Sequence, residues 1–495
     1  MNIALLVIFG FLLLSIYLGI RAKKGKKMDL EQWTVGGRGF GALFVFLLMA
    51  GEIYTTFTFL GGSAWAYGKG GPAYYILAYI SLSCVIGYWL LPAIWRYANK
   101  HKLMSLSDFY EKKYDSPFLG VLVAIVGIIS IIPYLVLQLK GLGIIVSQAS
   151  YGSISPTLAI WIGAIAVTVY VMVSGLHGSA WTAVIKDIMI FGIVVFLGFY
   201  IPFHYYGGIS SMFSSIEEAA PGFLAIPEKG LSISWFISSV LLTVLGFYMW
   251  PHGFGGIFAA KSERALRKNT IISPLYTLML LFVFFVGFAA IGQVPGLKGP
   301  DADLALLKIS IQTFDPWFVG LIGAVGLLTA LVPGSMLLLS GATLLAKNVY
   351  KTFVPQASDV QVMKLARYLV PVITLVSVFF TLNGGNTIVT LLLMAYSFVT
   401  QLFPALIFSF TKNRFVTKQG GAAGIIVGVG IVSYTTITKM TIISLVPFFP
   451  QWVLDLNVGI IALVANVLVT IVVSMLTKGL GHQLPSNEYA KSKVV

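Results

Sequence analysis

Apolar stretches of 18 or more residues recur from one end of this chain to the other, and that repetition limits the fold more than any other feature. Runs of this length match the hydrocarbon thickness of a bilayer. Within lipid every backbone N–H and C=O must be satisfied internally, so only helices and closed barrels can cross, and these runs are too long and too apolar for barrel strands. Charged residues make up 10% of the 495, against about a quarter in a soluble domain. The expected class is an all-α polytopic membrane protein.

About 13 spans are expected, at 2–21, 41–67, 72–97, 118–148, 154–174, 181–204, 231–258, 270–294, 314–346, 363–384, 386–411, 420–441 and 453–477. The first apolar stretch precedes the basic cluster Arg21, Lys23, Lys24, Lys26 and Lys27, the reverse of a secretory signal. It predicts a retained first span with the N-terminus outside and the C-terminal tail in the cytoplasm. On that topology 25 Lys and Arg fall in cytoplasmic loops and five on the outer side, with Lys140 and Lys186 inside spans. This is the positive-inside bias, and it accounts for a net charge of +15 without a nucleic-acid partner. The lone Cys84 excludes a disulfide framework. No Ser/His/Asp, Cys/His or metal-ligand constellation suggests an enzyme, no cofactor beyond a coupling ion is expected, and the oligomeric state is left open.

Two spans are interrupted by polar or helix-breaking sequence. One break is Met49-Ala50-Gly51-Glu52-Ile53-Tyr54-Thr55-Thr56 in the second span; the other is Gly246 to Gly256, around Trp250-Pro251-His252, in the seventh. Matching interruptions in two halves are a mark of transporters built from inverted repeats, which place substrate and ion sites at the breaks. Ordinary Gly/Pro kinks are the simpler reading.

Ionisable groups at bilayer depth cost several kcal/mol and usually face a partner or a cavity. Glu52, Lys140, Lys186 and Asp187 lie in spans, joined by His252. Glu52, with the carbonyls of Ala50 and Ile53, is a candidate coupling-ion site. Lys140 reads as a counter-ion for Glu52 or for an anionic substrate. Lys186 and Asp187, close to the cytoplasmic end of their span, read equally as a structural pair.

At these residues the chain resembles the sodium:solute symporter family along almost its whole length. The resemblance rests on Trp33-Thr-Val-Gly-Gly-Arg-Gly-Phe40, the break at Glu52, Trp250-Pro251-His252 with Ala259-Ala260-Lys261, and Val349-Tyr350-Lys351. It implies a LeuT-type core of two inverted five-helix repeats, 41–204 and 231–411, preceded by an extra span and basic loop in 1–40 and followed by two extra spans and a tail in 412–495. Within the family the chain is most similar to bacterial monocarboxylate permeases, through Gly51-Glu52-Ile53-Tyr54-Thr55, Pro133 to Gln138, Ile185-Lys186-Asp187 and Ala330-Leu331-Val332-Pro333. Lys140 is not expected from that subgroup.

One departure from the family pattern bears on the driving ion. Sodium-coupled members carry two adjacent hydroxyl residues on the ninth span, where this chain has Val332 and Pro333. Neither offers a side-chain oxygen to a hard cation. Lys186 stands beside Asp187 where sodium-coupled relatives have a threonine, so its ammonium can fill the vacated site. The expectation is a plasma-membrane symporter that takes up a small monocarboxylate of the lactate, pyruvate or acetate type with a cation, H+ favoured over Na+. Thr55, Thr56, Gln138, Lys140, Tyr248, Trp250 and His252 are the substrate-site candidates. Glu52, Lys186, Asp187, Ala50, Ile53, Val332 and Pro333 are the coupling-ion candidates. The alternatives are an amino-acid or other organic-solute symporter and, in another class, a channel or transport-like receptor.

Overall fold

The computed structural model describes residues 2–22, 29–411, 415–440, 442–445 and 447–478, with the side chains of Ala50, Glu52, Ser174, Ile443 and Leu445 excepted. The basic cluster at 23–27 and the tail from 479 therefore lie outside the described residues. Among the described residues eleven helices are long and apolar enough to span a membrane, and a twelfth span is the bent pair Ile233–Met249 and Pro251–Ala259. The thirteenth expected span is present in two pieces, Ala42–Ile53 and Gly62–Lys69, joined through Tyr54, Thr55 and a π-helical turn at Phe57–Gly61. No strand forms among the described residues.

Helix starts follow local chemistry. Side-chain oxygens of Ser116, Ser155, Ser262, Ser358, Thr387, Thr417 and Asn457 each accept a backbone N–H of the first turn. Proline occupies the first helical position at Pro117, Pro156, Pro251 and Pro316, where an N–H has no partner anyway. The fifth span, Pro156–Val173, turns directly into the sixth, Gly175–Tyr206. Gly175 makes that corner at φ 56°, ψ −160°, a backbone conformation open to glycine alone.

The ninth span, Pro316–Phe353, is almost entirely buried and packs on the first, fourth, sixth and tenth. Its last turns widen into a π-helix at Leu344–Tyr350, a form that concentrates at functional sites. The loops assigned to one side by charge counting meet on one face of the bundle. Arg96 pairs with Glu263 at 3.0 Å, Arg38 donates to the carbonyl of Leu103, and Lys347 pairs with Asp108. Phe40 and the end of the seventh span exchange two backbone bonds, Phe40 N to Ala259 O at 3.0 Å and Lys261 N to Phe40 O at 2.9 Å. At the opposite face Lys140 pairs with Asp303, and Gly230 N donates to Asp455. These are called below the basic-loop face and the Asp303 face.

Candidate functional site

The two interruptions expected from sequence are real breaks. In the second span the helix ends at Ile53 and resumes after Thr55, whose hydroxyl accepts the N–H of Phe57 while Thr58 Oγ accepts the N–H of Thr55. The Thr55 side chain is therefore spent on capping the second half-helix. In the seventh span Trp250 is extended, at φ −66° and ψ 124°, and the two halves meet at 54°.

Lys186 reaches the first break. Its Nζ lies 3.2 Å from the carbonyl oxygen of Tyr54, one of the groups that the unwound segment frees, and 2.8 Å from Asp187 Oδ1. Gly51 lies beside it: a Cβ there would stand in ordinary contact, 3.5 Å from Nζ and 3.6 Å from Val332 Cγ1. Val332 is fully buried and packs with Leu47 and Ala183, so the ninth span closes the ammonium from the other side. A ring of contacts completes the site. Tyr276 of the eighth span donates to Asp187 Oδ1 at 3.1 Å, and Tyr54 donates through its own hydroxyl to the carbonyl of Tyr276 at 3.0 Å. Asp187 Oδ2 is buried without a partner.

The helix carrying this pair begins at Gly175, earlier than the apolar run suggested, which moves Lys186 to about 16 Å inside it. The lysine is 0% exposed, so the expectation of a pair close to the cytoplasmic end of its span is corrected. A buried charge pair without further bonds would cost more in desolvation than it returns. Here Tyr54 and Tyr276 supply those bonds.

A second group of candidates meets across the second and fourth spans. Thr56 Oγ donates to Gln138 Oε1 at 2.6 Å, and Gln138 Nε2 is buried without a hydrogen-bond acceptor. One helical turn along the fourth span, Tyr134 meets Trp250 and His252, with ring centroids 4.9 and 5.5 Å away. Trp250 also lies edge-on to Tyr396 of the eleventh span at 5.3 Å.

Other candidates are placed elsewhere. Lys140 Nζ is 2.6 Å from Asp303 Oδ2 and 2.9 Å from the carbonyl of Asn386, so its partner is a carboxylate at the Asp303 face in place of Glu52 or a substrate. The Tyr248 hydroxyl lies against Gly87 of the third span, away from Thr56 and Gln138. Pro333 sits inside an unbroken helix. Ile53 is the last residue of the first half-helix, and its carbonyl is one of those left free there. The side chains of Ala50 and Glu52 lie outside the described residues; their backbone is helical.

Tyr54, Tyr134, Tyr276 and Tyr396 escaped the sequence reading, since a tyrosine in an apolar run looks like packing. Ser335 escaped it as well: its hydroxyl bonds to the carbonyl of Val332 and to Ser179, close to where the family's hydroxyl pair is missing.

Comparison with known proteins gives this architecture its relatives. The model of the sodium:solute symporter family matches residues 33–428. An uncharacterized symporter of Bacillus subtilis, YhjB, is 67% identical over 97% of this chain and 98% of its own. A monocarboxylate transport permease protein of Rhizobium johnstonii is 29% identical over 96% of each chain. Among solved structures, a Na+-coupled sialic acid symporter in its substrate-bound outward-open state superposes with a TM-score of 0.76, covering 96% of this chain and 98% of that one at 18% identity. The fold is thus the LeuT type of two inverted five-helix repeats, with breaks in the first helix of each. A chain with that fold, matched by the family model across four-fifths of its length, belongs to the sodium:solute symporter family and is a membrane symporter, not an enzyme.

Proposed function

We propose that this symporter takes up a small monocarboxylate of the lactate, pyruvate or acetate type across the plasma membrane, driven by protons in preference to sodium. Residues 41–204 and 231–411 would form the two inverted halves, with the N-terminus outside and the basic-loop face in the cytoplasm. The observation that carries the proposal is the Lys186 ammonium at the Tyr54 carbonyl, where a driving cation would otherwise sit. Sodium needs several oxygen ligands. A lysine that fills the same volume repels sodium and holds the same helices together.

The coupling step follows from those contacts. Protonated, Lys186 bridges the second-span break to Asp187 and, through Tyr276, to the eighth span. Loss of the proton removes the attraction for both oxygens and frees the break to move. Substrate binding falls to Thr56 and Gln138, the latter offering an unpaired N–H2 to a carboxylate, with the Tyr134 and Trp250 rings closing on a short alkyl body. The similarity to a monocarboxylate permease supports the substrate class.

Proteoliposomes holding the purified protein test both parts. Labelled lactate should accumulate under an inward proton gradient in sodium-free buffer. Accumulation that needs sodium and ignores pH would refute the coupling reading; saturable transport of glucose but not of short acids would refute the substrate class.

A further inference from the structure

On the basic-loop side of the Tyr134–Trp250–His252 rings lies a cavity that the Thr56–Gln138 level does not share. Its walls include Ser105, His252, Gly255, Met336, Ser340 and Thr343. Its depth can be read along two helices. On the fourth span, Gln138 meets Thr56, Tyr134 meets His252, and Gly127 meets Pro251. At 1.5 Å per residue, Gly127 lies about 16 Å from Gln138 toward the basic-loop face. On the ninth span, Ser340 lies about 12 Å beyond Val332 in the same direction, and Lys347 then reaches Asp108.

The polar groups in this cavity are those that would receive an anion. His252 is buried with Nδ1 unpartnered, and the half-buried Ser340 brings a hydroxyl to the same wall. A hydroxyl and an imidazole N–H can both donate to a carboxylate. Ser105 and Thr343 direct their hydroxyl hydrogens to Asn348 Oδ1 and to the Leu339 carbonyl, so they offer only acceptor capacity. Among the described residues no carboxylate lines the cavity. Asp108 beyond it is held by Lys347, by Asn348 at 2.6 Å and by the N–H of Met104 at 2.8 Å. Met336, Leu339 and Pro251 supply an apolar wall for a short alkyl body.

We propose that this cavity is a second carboxylate-binding station, with His252 and Ser340 as its donors, which receives the acid after it leaves the Thr56–Gln138 level. The station rests on the monocarboxylate reading above. It makes transport a two-stop passage, with the acid passed from the Gln138 amide to His252 and Ser340 and never placed against Asp108.

The test follows a single cysteine, Gly255→Cys in a Cys84→Ser background, reacting with a small sulfonate-bearing thiol reagent in proteoliposomes. Lactate should slow the reaction at least fivefold. In a His252→Phe background protection should need about tenfold more lactate, the worth of one lost bond to a charged group. In a Gln138→Leu background the protecting concentration should stay within about twofold, because the two stations bind independently. If Gln138→Leu shifts it as much as it shifts lactate counterflow, protection comes from the first site through a closing movement and the station is refuted. Undiminished labelling at saturating lactate, with lactate counterflow intact, refutes it as well. Absence of lactate counterflow in the parent protein would instead refute the monocarboxylate reading. An added Cβ at Gly255 meets only the Thr34 carbonyl oxygen, at 3.4 Å; should the variant still fail to fold, Leu339→Cys reports from the ninth-span wall of the same cavity.

Discussion

The centre of the bundle and its two ends are each held by a lysine–aspartate pair whose carboxylate is buried, but the pairs differ in what they touch. In the centre, Lys186 and Asp187 are neighbours in sequence, so their own bond ties nothing together. What they tie is the Tyr54 carbonyl at the second-span break and the Tyr276 hydroxyl, two residues before the eighth span loosens at Leu278 and Met279. At the Asp303 end, Lys140 and Asp303 join the fourth span to the segment before the ninth and, through Asn386 O and Ile388 N, to the start of the eleventh. At the basic-loop end, Asp108 joins Lys347 and Asn348 to the turn at Met104 and Ser105. The end pairs clamp whole elements together. The central pair grips backbone that has somewhere to go, and that distinguishes a moving part from a fastening built of the same residues.

The largest effect expected from this contrast is at Lys186. Lys186→Met should abolish proton-driven lactate accumulation, at least a tenfold loss in the steady-state gradient, while leaving measurable lactate counterflow. Asp187→Asn alone should be milder, since the ammonium keeps its bond to Tyr54 O. A Lys186→Met protein that still concentrates lactate would reduce the central pair to a fastening.

Next in size is the Asp303 end. Lys140→Met strands a carboxylate that is 0% exposed, and breaking one side of a buried pair costs about 3–5 kcal/mol. The melting temperature in detergent should fall clearly, and the double variant Lys140→Met/Asp303→Asn should recover most of the loss. The accumulation ratio of the surviving protein should stay normal. If Lys140→Met uncouples transport as Lys186→Met does, the division between clamp and moving part fails.

How far these roles can be read from sequence follows from distance along the chain. The breaks were legible because Gly51 to Thr56 and Trp250 to Gly256 put polar, proline and glycine residues inside apolar runs. Lys186 beside Asp187 announced a pair for the same reason. The partner of Lys140 was hidden, 163 residues away in a segment that no apolar run marks. Depth was misjudged at Lys186 because the sixth helix extends through the polar stretch around His177, which bonds Gln32 and so needs no water. Side-chain direction was the least legible property. Thr55 turned to cap its own half-helix, Tyr248 turned toward Gly87, and Tyr276 joined the charge network unannounced.

A smaller effect separates two residues of one break. Gln138→Leu removes the partner of Thr56 and the free N–H2, and should raise the apparent lactate dissociation constant about tenfold with little change in melting temperature. Thr55→Ala removes a helix cap worth about 1 kcal/mol and should act mainly on stability. Reversal of this ordering would move the substrate contact from Gln138 to Thr55.

The smallest effect sets the two ends against each other through pH. Burial on its own would push Asp108 up, but the Lys347 ammonium, the Met104 N–H and the Asn348 amide more than offset it and hold the carboxyl below its ordinary value. Burial also pushes Asp303 up, Asp301 adds to the shift, and Lys140 with the Ile388 N–H offsets only part of it, so this carboxyl stays raised. Its Oδ1 has no partner at all, whereas both Asp108 oxygens are bonded. The linkage signs are therefore opposite. Asp108 contributes stability that is present above the unfolded value near 3.9 and is lost as pH falls through its lowered folded value. Asp303 contributes stability that is present below the unfolded value and is lost as pH rises through its raised one. Melting temperatures of the parent, Asp108→Asn and Asp303→Asn across the acid range should show this directly. The advantage of the parent over Asp108→Asn should grow with rising pH, and its advantage over Asp303→Asn should shrink. Two curves of the same sign would mean that the ends are fastened alike, and that the difference in donor count between them does not decide how each carboxylate is held.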